Sequence, residues 1–567
     1  MAGYFTKNRK FYLDTIDLSP ISESLESGFS AENSPLESHE DALKYYDMVL
    51  ENAGKICEEF IAPRAEEVDE LGATLKDGVV SWAPGTQENM KVLAQAGLMG
   101  GILPRKYGGL NMPVTVNNLV VEMVSQADAS LMNLFGLQDI AVTLYKFGNE
   151  EQKDRVLPKF ASGEVSGSMA LTEPDAGSDL QAVTLRAIEK DGKWYLDGVK
   201  RFITNGSGEV SLVLARSEEG SKTGRGLSMF LYERYRDHNM VVRRIENKLG
   251  IHGSPTCELQ FNMAECELVG KRRFGLIKYV MDLMNGARLA VSAQALGIAE
   301  ASYNEARRYA TEREQFGKKI IEMPAVFQML LHMKAEIETA RILLYNTGLS
   351  VDYQEMYERK LEAGEPVKKE LKAAKVRAAF LTPLAKFVTT EMANKAAYDA
   401  LQIHGGVGYM KDFTVQRLAR DARITNIYEG TTQLQVVAAI GAITSGWFFT
   451  EMERLDVASL SRLSKEGTQF AQWVENFKQL VEKVKEIESQ DFKDFVAGYQ
   501  VEISAILYRL FLFLPVVEKH EEKQDVFEFF FNDSAVNIAA LSNRIESYIS
   551  TNSSNFSAIT SFINEEV

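Results

Sequence analysis

From Asp41 onward apolar residues recur at helical spacing: Leu43, Tyr46, Val49 and Leu50, then Ile56, Phe60 and Ile61. The spacing predicts helices there. After a break at Gly97-Leu-Met-Gly-Gly101 it predicts them again from about Pro113 to Phe160. Near Ser166 the texture changes to short runs bounded by turn residues. Trp194-Tyr-Leu-Asp-Gly198, Leu212-Val-Leu-Ala215, Leu227-Ser-Met-Phe-Leu-Tyr232 and Cys257-Glu-Leu-Gln-Phe261 predict strands of a small sheet or barrel. The helical period returns at Ile277 and holds to about Ala400. Within it, Val351–Lys369 is dense in Glu and Lys and is expected to form a solvated loop. After Gly446, stripes at Leu460–Val474, Phe477–Ile487 and Ala505–Val517 predict further helices. Residues 10–40 are rich in Ser and Glu and are expected to lie on the surface, outside the core.

This order gives a mainly α fold with a central β domain. The expected divisions are a leader (1–40), an N-terminal helical domain (41–165), a middle β domain (166–275), a helical bundle (276–450) and an additional helical domain (451–567). Charge narrows the function. Lys plus Arg is 63 against 79 Asp plus Glu, a net −16, which argues against a nucleic-acid partner. Three scattered cysteines make no disulfide framework, and the six histidines show no HExxH or HxxxH spacing, so no metal site is expected. Met1–Lys10 has no apolar core of the secretory kind. Gly430–Thr450 is laced with polar residues and Ile506–Val517 is broken by Arg509, so no membrane span is expected. A reduced, cytoplasmic protein is the expectation.

Neither a GxGxxG after a strand nor a GxxxxGK[ST] loop occurs, so any dinucleotide is held by other means. Four motifs stand out. Leu171-Thr-Glu-Pro-Asp-Ala-Gly-Ser-Asp-Leu180 offers hydroxyl donors and, at Gly177, close backbone approach to a ligand. It also reads as an ordinary strand-to-strand loop. Arg201-Phe-Ile-Thr-Asn-Gly206 places an aromatic and a hydroxyl two apart, on one face of a strand, and taken alone reads as a strand ending in an Asn-Gly turn. In Glu312-Arg-Glu-Gln-Phe-Gly-Lys318, Arg313 suits a phosphate and Phe316 an apolar ring, or the segment simply ends a helix at Gly317. The last motif runs from Gln402-Ile-His-Gly-Gly-Val-Gly-Tyr409 to Ile427-Tyr-Glu-Gly-Thr-Thr-Gln433. There Thr431 or Thr432 can cap a following helix. Glu429, between apolar neighbours and a glycine, is a candidate base with a raised pKa, or a salt-bridged loop carboxylate.

In this order and spacing the four motifs closely resemble the acyl-CoA dehydrogenase family, over about Asp41 to Gly446. Lys248-Leu-Gly-Ile-His-Gly-Ser-Pro-Thr-Cys257, the insertion around Val351–Lys369 and Leu381-Thr-Pro-Leu-Ala385 look like its longer bacterial branch. That branch carries an extra C-terminal helical domain and includes enzymes similar to 3-methylmercaptopropionyl-CoA dehydrogenase. The resemblance implies an FAD-dependent enzyme of the fatty-acid β-oxidation kind. It also implies a homo-oligomer, dimer or tetramer, that passes electrons to electron-transfer flavoprotein. An acyl-CoA oxidase using oxygen, or an idle relative serving as a scaffold, are the alternatives.

Residue by residue, the resemblance makes Glu429 the base that removes the α-proton. The position used for the base by some relatives is here Ala287. Thr172 and Ser178 match flavin, pyrophosphate or CoA contacts. Phe202 matches an aromatic, usually tryptophan, against the flavin ring, and Thr204 a hydroxyl beside its N5. Arg313, Phe316, Gln402 and Gly406 match residues that reach the FAD of a neighbouring subunit. Thr431 and Gln433 match the last FAD contacts. Arg288, Tyr428, Gly430 and Ser178 match the substrate side.

Overall fold

The computed structural model describes residues 4–30, 34–456 and 462–552. Helices come first: α1 (Lys7–Asp14), α2 (Ser19–Leu25), α3 (His39–Ile56) and α4 (Ala65–Leu71). A hairpin of β1 (Thr74–Lys76) and β2 (Val79–Ser81) follows. Then come α5 (Pro84–Gln95), α6 (Val114–Ala127), α7 (Ala129–Phe135), α8 (Ile140–Phe147) and α9 (Glu150–Ser162). Local chemistry sets their limits. The Ser38 hydroxyl accepts from the Asp41 N–H at 3.2 Å to start α3. Asn149 and Gln152 form a reciprocal cap at the start of α9, and Gly163, at φ 73°, ends it.

The middle of the chain is β3 (Gly167–Ala170), β4 (Arg186–Lys190), β5 (Lys193–Thr204), β6 (Val210–Arg216), β7 (Leu227–Glu233), β8 (Met240–Ile245) and β9 (Thr256–Leu268). Pairing runs β6–β4–β5–β9–β7 and back to β6, so the sheet closes on itself and removes its open edges, with β3 and β8 attached. The four strand runs singled out as short runs between turn residues lie in β5, β6, β7 and β9. Alternate residues fill the interior, Val213, Phe230, Leu259 and Phe261 among them.

Three long helices follow: α10 (Met281–Glu312), α11 (Pro324–Glu362) and α12 (Lys368–His404), with the small hairpin β10 (Glu314–Gln315) and β11 (Lys318–Lys319) between the first two. Phe316 and Gly317 form that hairpin's turn, at φ 53° and 77°. The chain continues as α13 (Val415–Thr425), α14 (Thr432–Thr444), α15 (Trp447–Met452), α16 (Ser464–Lys485), α17 (Gln490–Lys519) and α18 (Gln524–Asn552). Leu460, the first position of one predicted stripe, lies outside the described residues.

One hydrophobic core runs from Phe5 and Tyr12 through α6, α10, α11 and α12 to Phe513, Phe527 and Ile545. The C-terminal helices therefore pack on the chain's own body. Lys523 of the segment before α18 bonds Glu338 of α11 at 2.8 Å, and Arg377 of α12 bonds Glu451 of α15 at 3.0 Å. Helix α17 is long and apolar enough to cross a membrane, but 78% of its most apolar window is buried inside the protein.

Two expectations are corrected. The segment 10–40, expected on the surface, contributes to the core among its described residues, as do the residues just before it. Phe5, Tyr12, Leu13, Leu18 and Ile21 are buried, and Arg9 is wholly enclosed, donating to Glu122 at 2.8 Å and Gln126 at 2.6 Å. Its polar composition misled because Ser22 and Glu26 are themselves buried, with Glu26 paired to Arg105 at 2.9 Å. Val351–Lys369 is not a loop over most of its length either: α11 runs on to Glu362. Its acidic residues are used by partners from other helices. Asp352 caps α6, accepting from the N–H groups of Val114 at 2.7 Å and Thr115 at 3.0 Å, and Glu355 meets Lys146 at 2.9 Å.

Candidate active site

A cavity of about 1360 Å³ opens between the barrel and the helices α7, α10, α13 and α14. The loop between α13 and α14 forms one wall. Thr431 starts α14, its hydroxyl accepting from the Leu434 N–H at 3.4 Å, as its place in the sequence predicted. Just before it, Glu429 and Gly430 are both left-handed, at φ 54° and 90°. Glycine takes this conformation freely, whereas for glutamate it is a strained one held by its surroundings. Tyr428 supplies part of the hold: its hydroxyl donates to Asn133 of α7 at 3.1 Å and bonds Gln294 of α10.

The Glu429 carboxylate lines the cavity and accepts no hydrogen bond from the described residues. Burial pushes its pKa above the ordinary carboxylate value, while the charges of Lys386 and Arg288 pull the other way. Arg288 is buried on α10. Its Nη1 donates to Asn285 at 3.2 Å, and its buried Nε has no partner among the described residues. Ala287 stands beside it in the cavity wall, so no second carboxylate occupies that position.

The opposite wall comes from the barrel. The 171–180 loop is fastened by a buried pair, Lys200 to Glu173 at 2.9 Å. Lys200 also donates to the Leu171 carbonyl at 2.7 Å, and Glu173 accepts from the Thr184 and Leu185 N–H groups at 2.8 and 2.9 Å. Burial lowers the Lys200 pKa to about 8, against the pull of Glu173. Immediately after Lys200 the strand bulges. Pairing with β9 slips between Lys200 and Ile203, and Phe202 turns to φ 60°. Phe202 and Thr204 are thus not related by simple strand alternation, as expected from their spacing. The bulge turns the Phe202 ring out, 51% exposed, and both residues line the cavity.

The structure brings together Thr172, Ser178, Phe202, Thr204, Arg288, Tyr428, Glu429, Gly430 and Thr431. It leaves Arg313, Phe316, Gln402, Gly406 and Gln433 outside the cavity wall. Phe316, 94% exposed, projects from the tip of the β10–β11 hairpin. Three contributions had no sequence signal: the Lys200–Glu173 brace, the Asn133–Gln294 clamp on Tyr428, and Lys386.

Whether a flavin fits can be judged from these walls. The cavity exceeds the roughly 300–1,000 Å³ of an ordinary small-molecule site, leaving room for a second ligand. Thr172, Ser178 and Thr204 line it with hydroxyls that have no hydrogen-bond partner among the described residues, and Phe202 offers a flat apolar ring. Lys248, Arg225 and Arg423 add cations suited to pyrophosphate, while Arg420 is held by Asp69. The donor set fits.

Three family models match in order. That described as acyl-CoA dehydrogenase, N-terminal domain, covers residues 45–164; the middle domain covers 168–264 and the C-terminal domain 277–441. The chain belongs to the acyl-CoA dehydrogenase family. It is an FAD-dependent enzyme acting on acyl-CoA. Among its relatives is an acyl-CoA dehydrogenase of Bacillus subtilis, 37% identical, with 61% of this chain and 86% of that one covered. A 3-methylmercaptopropionyl-CoA dehydrogenase of Ruegeria pomeroyi is 35% identical over 69% of each. The FAD-complexed acyl-CoA dehydrogenase of Bacillus anthracis shares the fold over 89% of this chain and 88% of that one, at TM-score 0.76 and 22% identity.

Proposed function

We propose that Glu429 is the base that takes the α-proton of a saturated acyl-CoA, giving the trans-2-enoyl-CoA. The observation that carries this is its unbonded carboxylate, held in the cavity by a left-handed backbone, with burial raising its basicity. Thr172, Ser178, Thr204 and Phe202 would hold the flavin, which, when bound, accepts the hydride leaving the β-carbon at N5. Among the described residues the Glu429 N–H has no acceptor, which leaves it to donate to the thioester carbonyl, where negative charge develops as the α-proton departs. The charges of Arg288 and Lys386 favour the ionised form of Glu429, and Ile427 and Leu434 give this part of the cavity apolar walls.

Electron-transfer flavoprotein is the acceptor in this reading, and the enzyme is a cytoplasmic homo-oligomer, a dimer or tetramer. The exposure of Phe316, with Arg313, Gln402 and Gly406 lying outside this chain's own cavity, supports a site completed by a second copy. The buried free thiols Cys57, Cys257 and Cys266 suit a reducing compartment. The test is turnover of an acyl-CoA panel, including branched and methylthio chains, by the wild type and Glu429→Gln. Loss of about 10²-fold or more in the variant is expected of a general base. Retention of most of the rate would place the base elsewhere.

A further inference from the structure

Lys386 lies on α12, away from every motif that marks the site. It is wholly buried, and among the described residues it forms no ion pair within salt-bridge distance. A buried ammonium without a paired carboxylate is costly, and methionine would pack the same volume without that cost. Its contacts show what it holds. The ammonium donates to the carbonyl of Thr425 at 3.0 Å and to that of Gly430 at 2.9 Å. These two carbonyls bracket the loop that carries Glu429.

We infer that Lys386 is a positioning residue for the reaction: it ties both ends of the Glu429 loop to α12 and so holds the base in its left-handed backbone. The inference rests on Glu429 being the base.

Neighbouring contacts act in the same direction. Gln435 of α14 also donates to the Gly430 carbonyl, at 2.7 Å. Glu391, farther along α12, accepts from Asn426 at 3.0 Å and bonds the Thr432 hydroxyl. Asn394 donates to the Ala422 carbonyl at 3.0 Å. Helix α12 is thus a rail, three of whose residues fasten the segment 422–432, and Lys386 is the fastener beside Glu429. Gly430, at φ 90°, lets the chain turn its carbonyl back towards both Lys386 and Gln435.

Electrostatics gives the same residue a second effect. The charged groups acting on Glu429 are Lys386 from α12 and Arg288 from α10. Those acting on Lys386 are Glu429, Arg288 and Glu391. Burial brings the Lys386 pKa down to about 8, with Glu429 resisting that fall. Lys386 is therefore cationic through neutral pH and favours the ionised base.

The test uses the FAD-loaded enzyme with Lys386→Met, which fills the space without a donor or charge, and Lys386→Gln, which keeps a donor without charge. For Met we expect kcat to fall about tenfold or more, as a displaced reacting group demands. KM and flavin content should change little, and the acid limb of the kcat/KM profile should move to higher pH. Gln should move the limb likewise and recover part of kcat. A merely structural lysine would lower thermal stability or flavin content and leave the limb in place. An unmoved limb, or a kcat equal to wild type, in either folded variant overturns the inference; if Met does not fold, Gln decides. Glu429→Gln measured alongside separates the two claims. Activity there overturns the base assignment, whereas inactivity there with unmoved limbs overturns only the role of Lys386.

Discussion

Glu429 combines a strained backbone with a carboxylate whose pKa is raised, and both features should show in stability as well as in rate. Its pKa is raised in the folded protein, so folding favours its protonated form. That contribution is fully present below the unfolded carboxylate value of 4.5 and is lost as pH rises through the higher folded value. A glutamine stays neutral throughout. Glu429→Gln should therefore match the wild-type thermal midpoint at low pH and exceed it at neutral pH; an equal or lower midpoint at neutral pH would contradict the raised pKa. Glu429 was legible in the sequence because its signal is local: an apolar pair before it, a glycine after it and a capping threonine next. Lys386 was not, since the Gly430 carbonyl it bonds is 44 positions away. Phe202 was half legible. Its aromatic character showed, but the bulge that turns it out depends on how β5 meets β9.

At the scale of elements, α1 shows how a short polar helix becomes part of a core. Arg9 and Arg341 both meet Glu122, at 2.8 and 2.9 Å, and all three side chains are enclosed. Removing one partner of such a group leaves unbalanced buried charge. Arg9→Met should cost about 3 kcal/mol, the lower end for a broken buried pair because Arg341 remains. A lower thermal midpoint with unchanged flavin spectrum is the expected readout, and an unchanged midpoint would show that α1 is dispensable. The strands of the barrel were legible because apolar runs between turn residues record strand geometry directly. Helix α1 and the end of α11 were hidden for the opposite reason. Their polar residues face other buried polar groups, as Asp352 faces the start of α6, and nothing in the local pattern separates such residues from solvated ones.

For the whole molecule, the mainly α architecture around a central β domain followed from the order of periodicities, whereas the continuity of the core did not. Phe448, Phe477, Tyr508 and Phe513 share one cluster with the family's own helices, so α15–α18 act as part of the body. Ending the chain after Gly446 would uncover the faces of α11 and α14 that they cover. Aggregation, or a different subunit number in light scattering, is the expected outcome. A soluble truncated enzyme of unchanged size and activity would contradict that account.

The central claim is that Glu429 begins the reaction by removing the α-proton. Its most direct test is anaerobic mixing of the FAD-loaded enzyme with a substrate acyl-CoA, following flavin absorbance through a single turnover. The wild type should bleach, and Glu429→Gln, with equal flavin content, should stay oxidised or bleach slower by about 10²-fold or more. Bleaching of the variant at the wild-type rate would contradict the account.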